Sequence, residues 1–244
     1  MEDFNTWIVD KYVAHRGLHN KELPENSMGA FEAAVEHDYA IECDVHQIED
    51  GTIVVFHDDT LDRLTGQDGY VNQIKSKEDL KKYKLLDSKY TIPTLQELLD
   101  MVNGRVPILI EIKSYTKPTT LESNLYELIK NYNGKCAVMS LNPYSVGWFA
   151  ENAPEIPRGQ LSSFFKGIKQ LGFTRKFFLK RMLLNKRVSK PNFIGYHYKD
   201  VPNRYVKKYK NIPLLVWAVP SQQEYMRVAK HCDNIIFENF EPRI

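Results

Sequence analysis

Between Ile41 and Asp58 the sequence reads IECDVHQIEDGTIVVFHD, which gathers several groups capable of acid/base or metal chemistry into one short span. Glu42 and Asp44 stand two residues apart in a strand-like run, so both carboxylates project from one face while Cys43 and Val45 point the other way. Asp50-Gly51 is a strong hairpin signal between two apolar runs. A two-residue turn there pairs positions whose numbers sum to about 101, which predicts that His57 returns opposite Asp44. Two carboxylates and an imidazole sharing one small volume are the raw material of a metal-assisted acid/base site. On this stretch alone, a surface hairpin with scattered charges is the alternative.

Other strand ends carry chemistry of the same kind. His15 and Arg16 follow Tyr12-Val13-Ala14, and Glu111 and Lys113 alternate at the end of Pro107-Ile108-Leu109-Ile110-Glu111-Ile112. Trp217 and Glu238 close two further runs. An ionisable group at the end of an apolar strand is costly to desolvate unless it is paired or metal-bound. Glu42, Asp44 and Glu111 offer only oxygen, the donor chemistry of a hard divalent cation such as Mg²⁺ or Ca²⁺. Arg16 and Lys113 offer positive charge to an anionic oxygen substrate, and an arginine can hold a phosphate bidentately. His15 and His57 carry imidazoles, the side chain that ordinarily changes charge near neutrality, and suit paired general acid and base. His46 reads as structural, and His197 is a weaker candidate for lining the pocket.

Positioning these groups requires a repeating scaffold. Strand-like runs at 12–14, 40–45, 107–112, 136–140, 158–161, 193–198, 214–219 and 234–238 alternate with helical patterns at 28–37, 95–102, 119–131, 143–153, 201–210 and 221–230. Ser27 is a plausible N-cap, and Thr94 with Glu97 forms a capping-box start. Setting the hairpin's return arm aside, the chain reads as α/β with eight strands, which argues for a (β/α)8 TIM barrel. An open doubly wound sheet is the main competitor. The length of 244 residues suits one barrel domain over 1–244, since about 250 residues is usual for that fold. The polar stretch 59–91, after the hairpin that follows strand 2, reads as a small inserted cap.

A formal net charge of +2 says little about partners, and three widely spaced cysteines indicate neither a disulfide framework nor a zinc knuckle. No signal-peptide pattern opens the chain and no apolar run approaches the roughly 20 residues of a membrane span, so a cytoplasmic protein is expected. From Gly159 to Lys199 there is no acidic residue. Within it, over 164–190, basic residues interleave with large apolar ones. The spacings Phe164-Ile168-Leu171 and Phe173-Phe177-Leu184 suit amphipathic helices. Either this is a barrel helix with a solvated basic face, or it makes peripheral contact with an anionic membrane. Nucleic acid is not expected, because the basic residues form no polar stripe.

The run AHRGLHNKELPENSMGAFEAAVEHDYAIECDVHQIEDGTIVVFHDDTLDRLTG resembles the glycerophosphodiester phosphodiesterase family, and the resemblance continues through PTLQELL, EIK and LLVWAV. The ordered set HRG, PEN, E-x-D, DG, HD and EIK is far more specific than any single member. The resemblance implies a (β/α)8 barrel with a small insertion after HD. It also implies a divalent cation on Glu42, Asp44 and Glu111, and His15 and His57 as the acid/base pair. By the same resemblance Arg16 and Lys113 act on the phosphate, Asn26 orders the first loop, and Trp217 packs against glycerol. Two departures bear on headgroup preference: Ala218 replaces the usual threonine, and Phe237-Glu238-Asn239-Phe240 replaces the usual final-strand ending. The implied reaction is hydrolysis of a small glycerophosphodiester to glycerol 3-phosphate and an alcohol. The attacker is either water or the neighbouring glycerol hydroxyl through a cyclic phosphate. Lysophospholipase D action at a membrane surface and a catalytically silent phosphodiester-binding module are the alternatives.

Overall fold

The computed structural model describes residues 4–167 and 172–243. Its nine strands lie in one sheet in the order β1-β9-β8-β7-β6-β5-β4-β2-β3, and β1 (Val13–Ala14) also pairs with β2 (Ala40–Gln47). With β3 set aside as a hairpin arm, this is the strand order of a parallel (β/α)8 barrel. The chain divides into two compact units, residues 14–113 with 118–136, and the remainder of the described chain.

In the first unit, α2 (Met28–Glu36) begins at Ser27, whose hydroxyl accepts the Ala30 N–H at 3.2 Å. It leads into β2, which is paired antiparallel with β3 (Ile53–Val55) and parallel with β4 (Ile108–Ile112). In the β2–β4 register Asp44 stands beside Glu111, so the alternation of both strands sends Glu42, Asp44 and Glu111 to one face. The helix α4 (Leu95–Val102) opens with the Thr94–Glu97 capping box, and α5 (Thr120–Ile129) follows β4.

The hairpin register differs from the one the Asp-Gly turn predicts. Val45 pairs with Val55 and His46 with Val54, so Phe56, not His57, lies opposite Asp44; the Phe56 N–H donates to the Asp44 carbonyl at 2.9 Å. The cause is a longer loop. Ile48 pairs with Thr52, Gly51 is left-handed at φ 91°, and the Asp50 side chain accepts the Thr52 N–H at 2.9 Å. Three residues thus make the connection, and the extra one shifts the register by one.

Segment 59–91 shares one apolar cluster with the β2–β3 hairpin. Leu61, Leu64, Val71, Ile74, Leu80 and Leu85 pack with Ile48, Val54, Phe56 and Ile92, and all are buried. Burial of each large aliphatic side chain contributes roughly 1.5–3 kcal/mol. This cluster anchors the one-turn helix α3 (Asp62–Thr65), which Gly66 ends in the left-handed conformation.

The second unit opens with α1 (Phe4–Asp10), an element the hydrophobic pattern does not announce, with Trp7 and Ile8 buried. Asn234 fixes its exit by donating to the carbonyls of Ile8 (2.9 Å) and Lys11 (2.7 Å). The strand β5 (Cys136–Ser140) lies next to β4 and spans the division at Ala137. It is followed by α6 (Pro143–Asn152), β6 (Arg158–Ser162), α7 (Phe173–Lys180), β7 (Phe193–His197), β8 (Leu214–Val219), α8 (Gln222–Val228) and β9 (Asn234–Phe237).

Two helical expectations fail here. Residues 201–210 form no α-helix. Pro202 lacks an N–H, and the Asn203 side-chain oxygen Oδ1 accepts the N–H groups of Tyr205 (2.7 Å) and Val206 (3.2 Å), leaving one 3-10 turn at Val206–Lys208. Along 164–190, α7 ends at Lys180 and a π-helical turn occupies Asn185–Ser189, so Phe173, Phe177 and Leu184 do not share one helix. Ile168, Lys169 and Leu171 lie outside the described residues. Among the described residues no helix is long and apolar enough to cross a membrane.

Candidate active site

The candidate residues of the first unit converge; the one on β8 belongs to the second. The HRG turn supplies the first group. Arg16 is left-handed (φ 56°), its N–H donates to Glu42 Oε2 at 3.0 Å, and its carbonyl accepts from the Asn26 N–H at 2.9 Å. Gly17 makes this path feasible: at φ 79°, an added Cβ would lie 2.7 Å from the Ala30 backbone carbon of α2. Asn26, also left-handed and buried, donates its side-chain amide to Asp44 Oδ2 at 2.9 Å. The loop ahead of α2 is thereby tied to β2.

Around Asp44 the charges interlock. Lys113 Nζ lies 2.9 Å from Asp44 Oδ1 and 2.8 Å from Glu111 Oε1, and Arg16 Nε lies 3.2 Å from Asp44 Oδ2. His15 Nε2 is 3.9 Å from Glu42 Oε2. Burial alone would raise the Asp44 pKa, but Lys113 and then Arg16 outweigh it and hold the carboxyl well below its usual range. Glu42 goes the other way: burial first, then the charges of Asp44 and Glu111, push it well above the usual carboxylate range. Burial opposes the charge on Lys113, yet Asp44 and Glu111 raise its pKa.

These residues fit a cation. Glu42, Asp44 and Glu111 each present an oxygen within 4.8 Å of the others, and Glu42 Oε1 is buried without a hydrogen-bond partner among the described residues. Three carboxylates meet two neighbouring cations, and the donor set is all oxygen, as hard divalent ions require.

His57 follows β3. Its Nδ1 is 2.6 Å from Asp58 Oδ1, and its carbonyl lies 3.3 Å from His46 Nε2. Burial, against the opposing influence of Asp44, lowers its pKa, which favours the neutral ring. His46 is buried. Trp217 sits in the second unit on β8, its ring edge-on to His197 with centroids 5.2 Å apart. Gly195 leaves room for it: an added Cβ would fall 3.3 Å from Trp217 Cδ1 and 2.4 Å from Leu161 Cδ2.

Sequence reasoning passed over three participants. Glu25 reads as a helix-leading charge, yet it bonds Arg16 Nη1 (2.6 Å) and both terminal nitrogens of Arg63 (2.8 Å each). Arg63 Nε in turn donates to Asp58 Oδ2 at 2.5 Å. The signal for Asp58 was its place in the HD pair. Nothing local marks Glu25 and Arg63 as partners, 38 residues apart.

Burial opposes ionisation of Glu25, but Arg63 and then Arg16 hold its pKa at about 2, against an ordinary 4.5. A depressed carboxylate contributes stability that is present above its unfolded pKa and lost as pH falls through the folded one. Glu25→Gln should therefore lower stability at pH 7 by on the order of 2–3 kcal/mol. It should also flatten the fall in stability between about pH 5 and pH 2, as urea denaturation across that range will show.

The β2–β4 strand pair thus gathers three carboxylates, and the adjoining segments set Arg16, Lys113 and His15 against them. The chain belongs to the glycerophosphoryl diester phosphodiesterase family, whose sequence profile matches residues 15–231. It is 35% identical over 160 residues to a glycerophosphodiester phosphodiesterase of Caldanaerobacter subterraneus, covering 61% of this chain and 65% of that protein. The matched part thus spans just under two thirds of that relative. An uncharacterized protein of Mycoplasma genitalium is 30% identical over 229 residues, 88% of each chain. A phosphodiesterase of Oleispira antarctica, solved with the product sn-glycerol-3-phosphate, shares the fold with a TM-score of 0.74 at 20% identity, over 95% of this chain and 93% of that one.

Proposed function

We propose that the chain hydrolyses glycerophosphodiesters to glycerol 3-phosphate and an alcohol, with a divalent cation, Mg²⁺ or Ca²⁺, held by Glu42, Asp44 and Glu111. The observation that carries this reading is the buried, unpartnered Glu42 oxygen among carboxylates within 4.8 Å of one another, beside Arg16 and Lys113. When bound, the cation supplies positive charge for the phosphoryl oxygens.

The chain's own residues do the rest. Arg16, anchored by Glu25 and Asp44, holds a non-bridging phosphate oxygen, and Lys113 compensates the local carboxylate charge. One histidine takes the proton of the attacking hydroxyl as the new P–O bond forms. The other protonates the alcohol oxygen as the old P–O bond breaks, so the ring protons balance. His57 enters neutral, with Nδ1–H donated to Asp58 and Nε2 open to the reaction; His15 is the second partner. Water and the neighbouring glycerol hydroxyl both fit as attacker, the second through a cyclic phosphate. Asn26 fixes the Arg16 loop, and Trp217 offers a flat apolar face to glycerol. The cap of 59–91 belongs with one catalytic barrel domain. A cytoplasmic setting suits the reduced, buried thiols of Cys43 and Cys136, whose pKa values burial raises. Product analysis with glycerophosphocholine tests the reaction: glycerol 3-phosphate plus choline is expected, whereas phosphocholine plus glycerol, or no product, rejects it.

A second reading, lysophospholipase D action at an anionic membrane, draws on α7. None of its residues is buried, Phe173 is 83% exposed, and Arg175, Lys176 and Lys180 share the helix, with Lys186 and Arg187 beyond. An exposed aromatic amid basic residues suits the headgroup region. Vesicles containing anionic lipid should sediment the protein at low salt, and Phe173→Ser with Lys176→Glu should weaken this at least tenfold. No sedimentation at low salt rejects the reading.

A further inference from the structure

Arg63 stands in the inserted segment, apart from the carboxylate cluster, with its side chain 46% exposed. An arginine so placed is ordinarily a solvated charge whose ion pairs contribute little. Its geometry here is not ordinary. Nη1 and Nη2 grip the two oxygens of Glu25 at 2.8 Å each, and Nε donates to Asp58 Oδ2 at 2.5 Å. Each carboxylate spends its remaining capacity on a candidate site residue. Glu25 Oε1 accepts from Arg16 Nη1 at 2.6 Å, and Asp58 Oδ1 accepts from His57 Nδ1 at 2.6 Å. The result is one unbroken chain, Arg16–Glu25–Arg63–Asp58–His57. All four carboxylate oxygens in it are engaged.

We propose that Arg63 is a positioning residue that couples the phosphate-binding guanidinium of Arg16 to the proton-transfer ring of His57. Asp58 is an ionised acceptor, so His57 must carry its proton on Nδ1 to bond it, which leaves Nε2 free. Arg63 holds the Asp58 oxygen that His57 does not use, and so fixes the carboxylate plane and the imidazole's orientation. The same guanidinium fixes the Glu25 plane and, through it, the reach of Arg16. Leu64, the next residue along α3, is buried in the apolar cluster of 59–91, and the Thr65 hydroxyl bonds the Leu61 carbonyl at 2.8 Å. The inserted segment thereby acquires a task, to hold one guanidinium in place. A lysine cannot replace it, because a single ammonium cannot grip both Glu25 oxygens and still reach Asp58.

The inference rests on the proposed phosphodiesterase reaction for its kinetic arm, and on no reaction for its spectroscopic one. Arg63→Ala, Arg63→Lys, Asp58→Asn and the Arg63→Ala/Asp58→Asn double variant are compared with the unmodified protein. Turnover of glycerophosphocholine is measured with divalent cation present, and imidazole ¹⁵N shifts are recorded at neutral pH. In the unmodified protein His57 should be one tautomer with the proton on Nδ1, and in Arg63→Ala a mixture. The kcat of Arg63→Ala should fall about 10- to 100-fold and KM should rise several-fold, with Arg63→Lys rescuing neither. The double variant should lose no more kcat than Asp58→Asn alone, within twofold, because the kcat loss of both passes through the His57 ring, while the KM rise that passes through Glu25 and Arg16 should remain. A folded Arg63→Ala with kcat within twofold of the unmodified protein, or losses that multiply in the double variant, overturns the proposal. If the unmodified protein turns over no glycerophosphodiester, the reaction is what fails. An unchanged His57 tautomer in Arg63→Ala then still overturns the role of Arg63.

Discussion

Replacing His57 by alanine should lower glycerophosphodiester turnover by about 10²- to 10⁴-fold and leave the protein folded, and His15→Ala should do the same. The size follows from what a positioned proton carrier contributes to a transition state in which one oxygen gains a proton and another loses one. The intact fold follows from placement. The His57 side chain is 32% exposed and is held by one side-chain bond to Asp58, while His15 is 13% exposed and stands beside Glu42. Steady-state kinetics with a thermal melt of each variant checks both halves, and unchanged turnover in either variant removes that histidine from the mechanism.

The second large effect separates two carboxylates that look equivalent in the sequence. Asp44→Ala should destabilise the fold by about 3–5 kcal/mol, the cost of breaking a buried ion pair by removing one partner. Asp44 is fully buried and receives Lys113, Arg16 and the Asn26 amide. Without it Lys113 and Arg16, both largely withdrawn from water, each lose one of their two carboxylate partners, a substantial part of the 5–15 kcal/mol that holds a typical domain together. Glu42→Gln should behave differently. Burial and its carboxylate neighbours disfavour the Glu42 charge, so its removal should leave the cation-free protein at least as stable. The same change should abolish the rise in melting temperature that Mg²⁺ or Ca²⁺ is expected to give the unmodified protein. Melting of the three proteins with and without cation reads both effects, and equal losses for the two variants contradict this division of roles.

The parts of this site that follow backbone periodicity were legible. Alternation alone put Glu42 and Asp44 on one face, and the β2–β4 register then set Glu111 beside Asp44. Thr94 and Glu97 marked the start of α4 because a capping box is a local, reciprocal pair of bonds. What escaped the sequence depended on side chains overriding local preference. The Asp50 carboxylate captured the Thr52 N–H and lengthened the hairpin loop, moving His57 out of register with Asp44. Asn203 did the same to the helix expected at 201–210. Glu25 and Arg63 could not be paired from spacing, since only the folded insertion brings them together.

The most direct test is glycerol 3-phosphate formation from glycerophosphocholine after EDTA stripping, followed by readdition of Mg²⁺ or Ca²⁺. The site built on Glu42, Asp44 and Glu111 predicts no product in EDTA and recovery with one of the two ions. Turnover that persists undiminished in EDTA, or that neither ion restores, contradicts it.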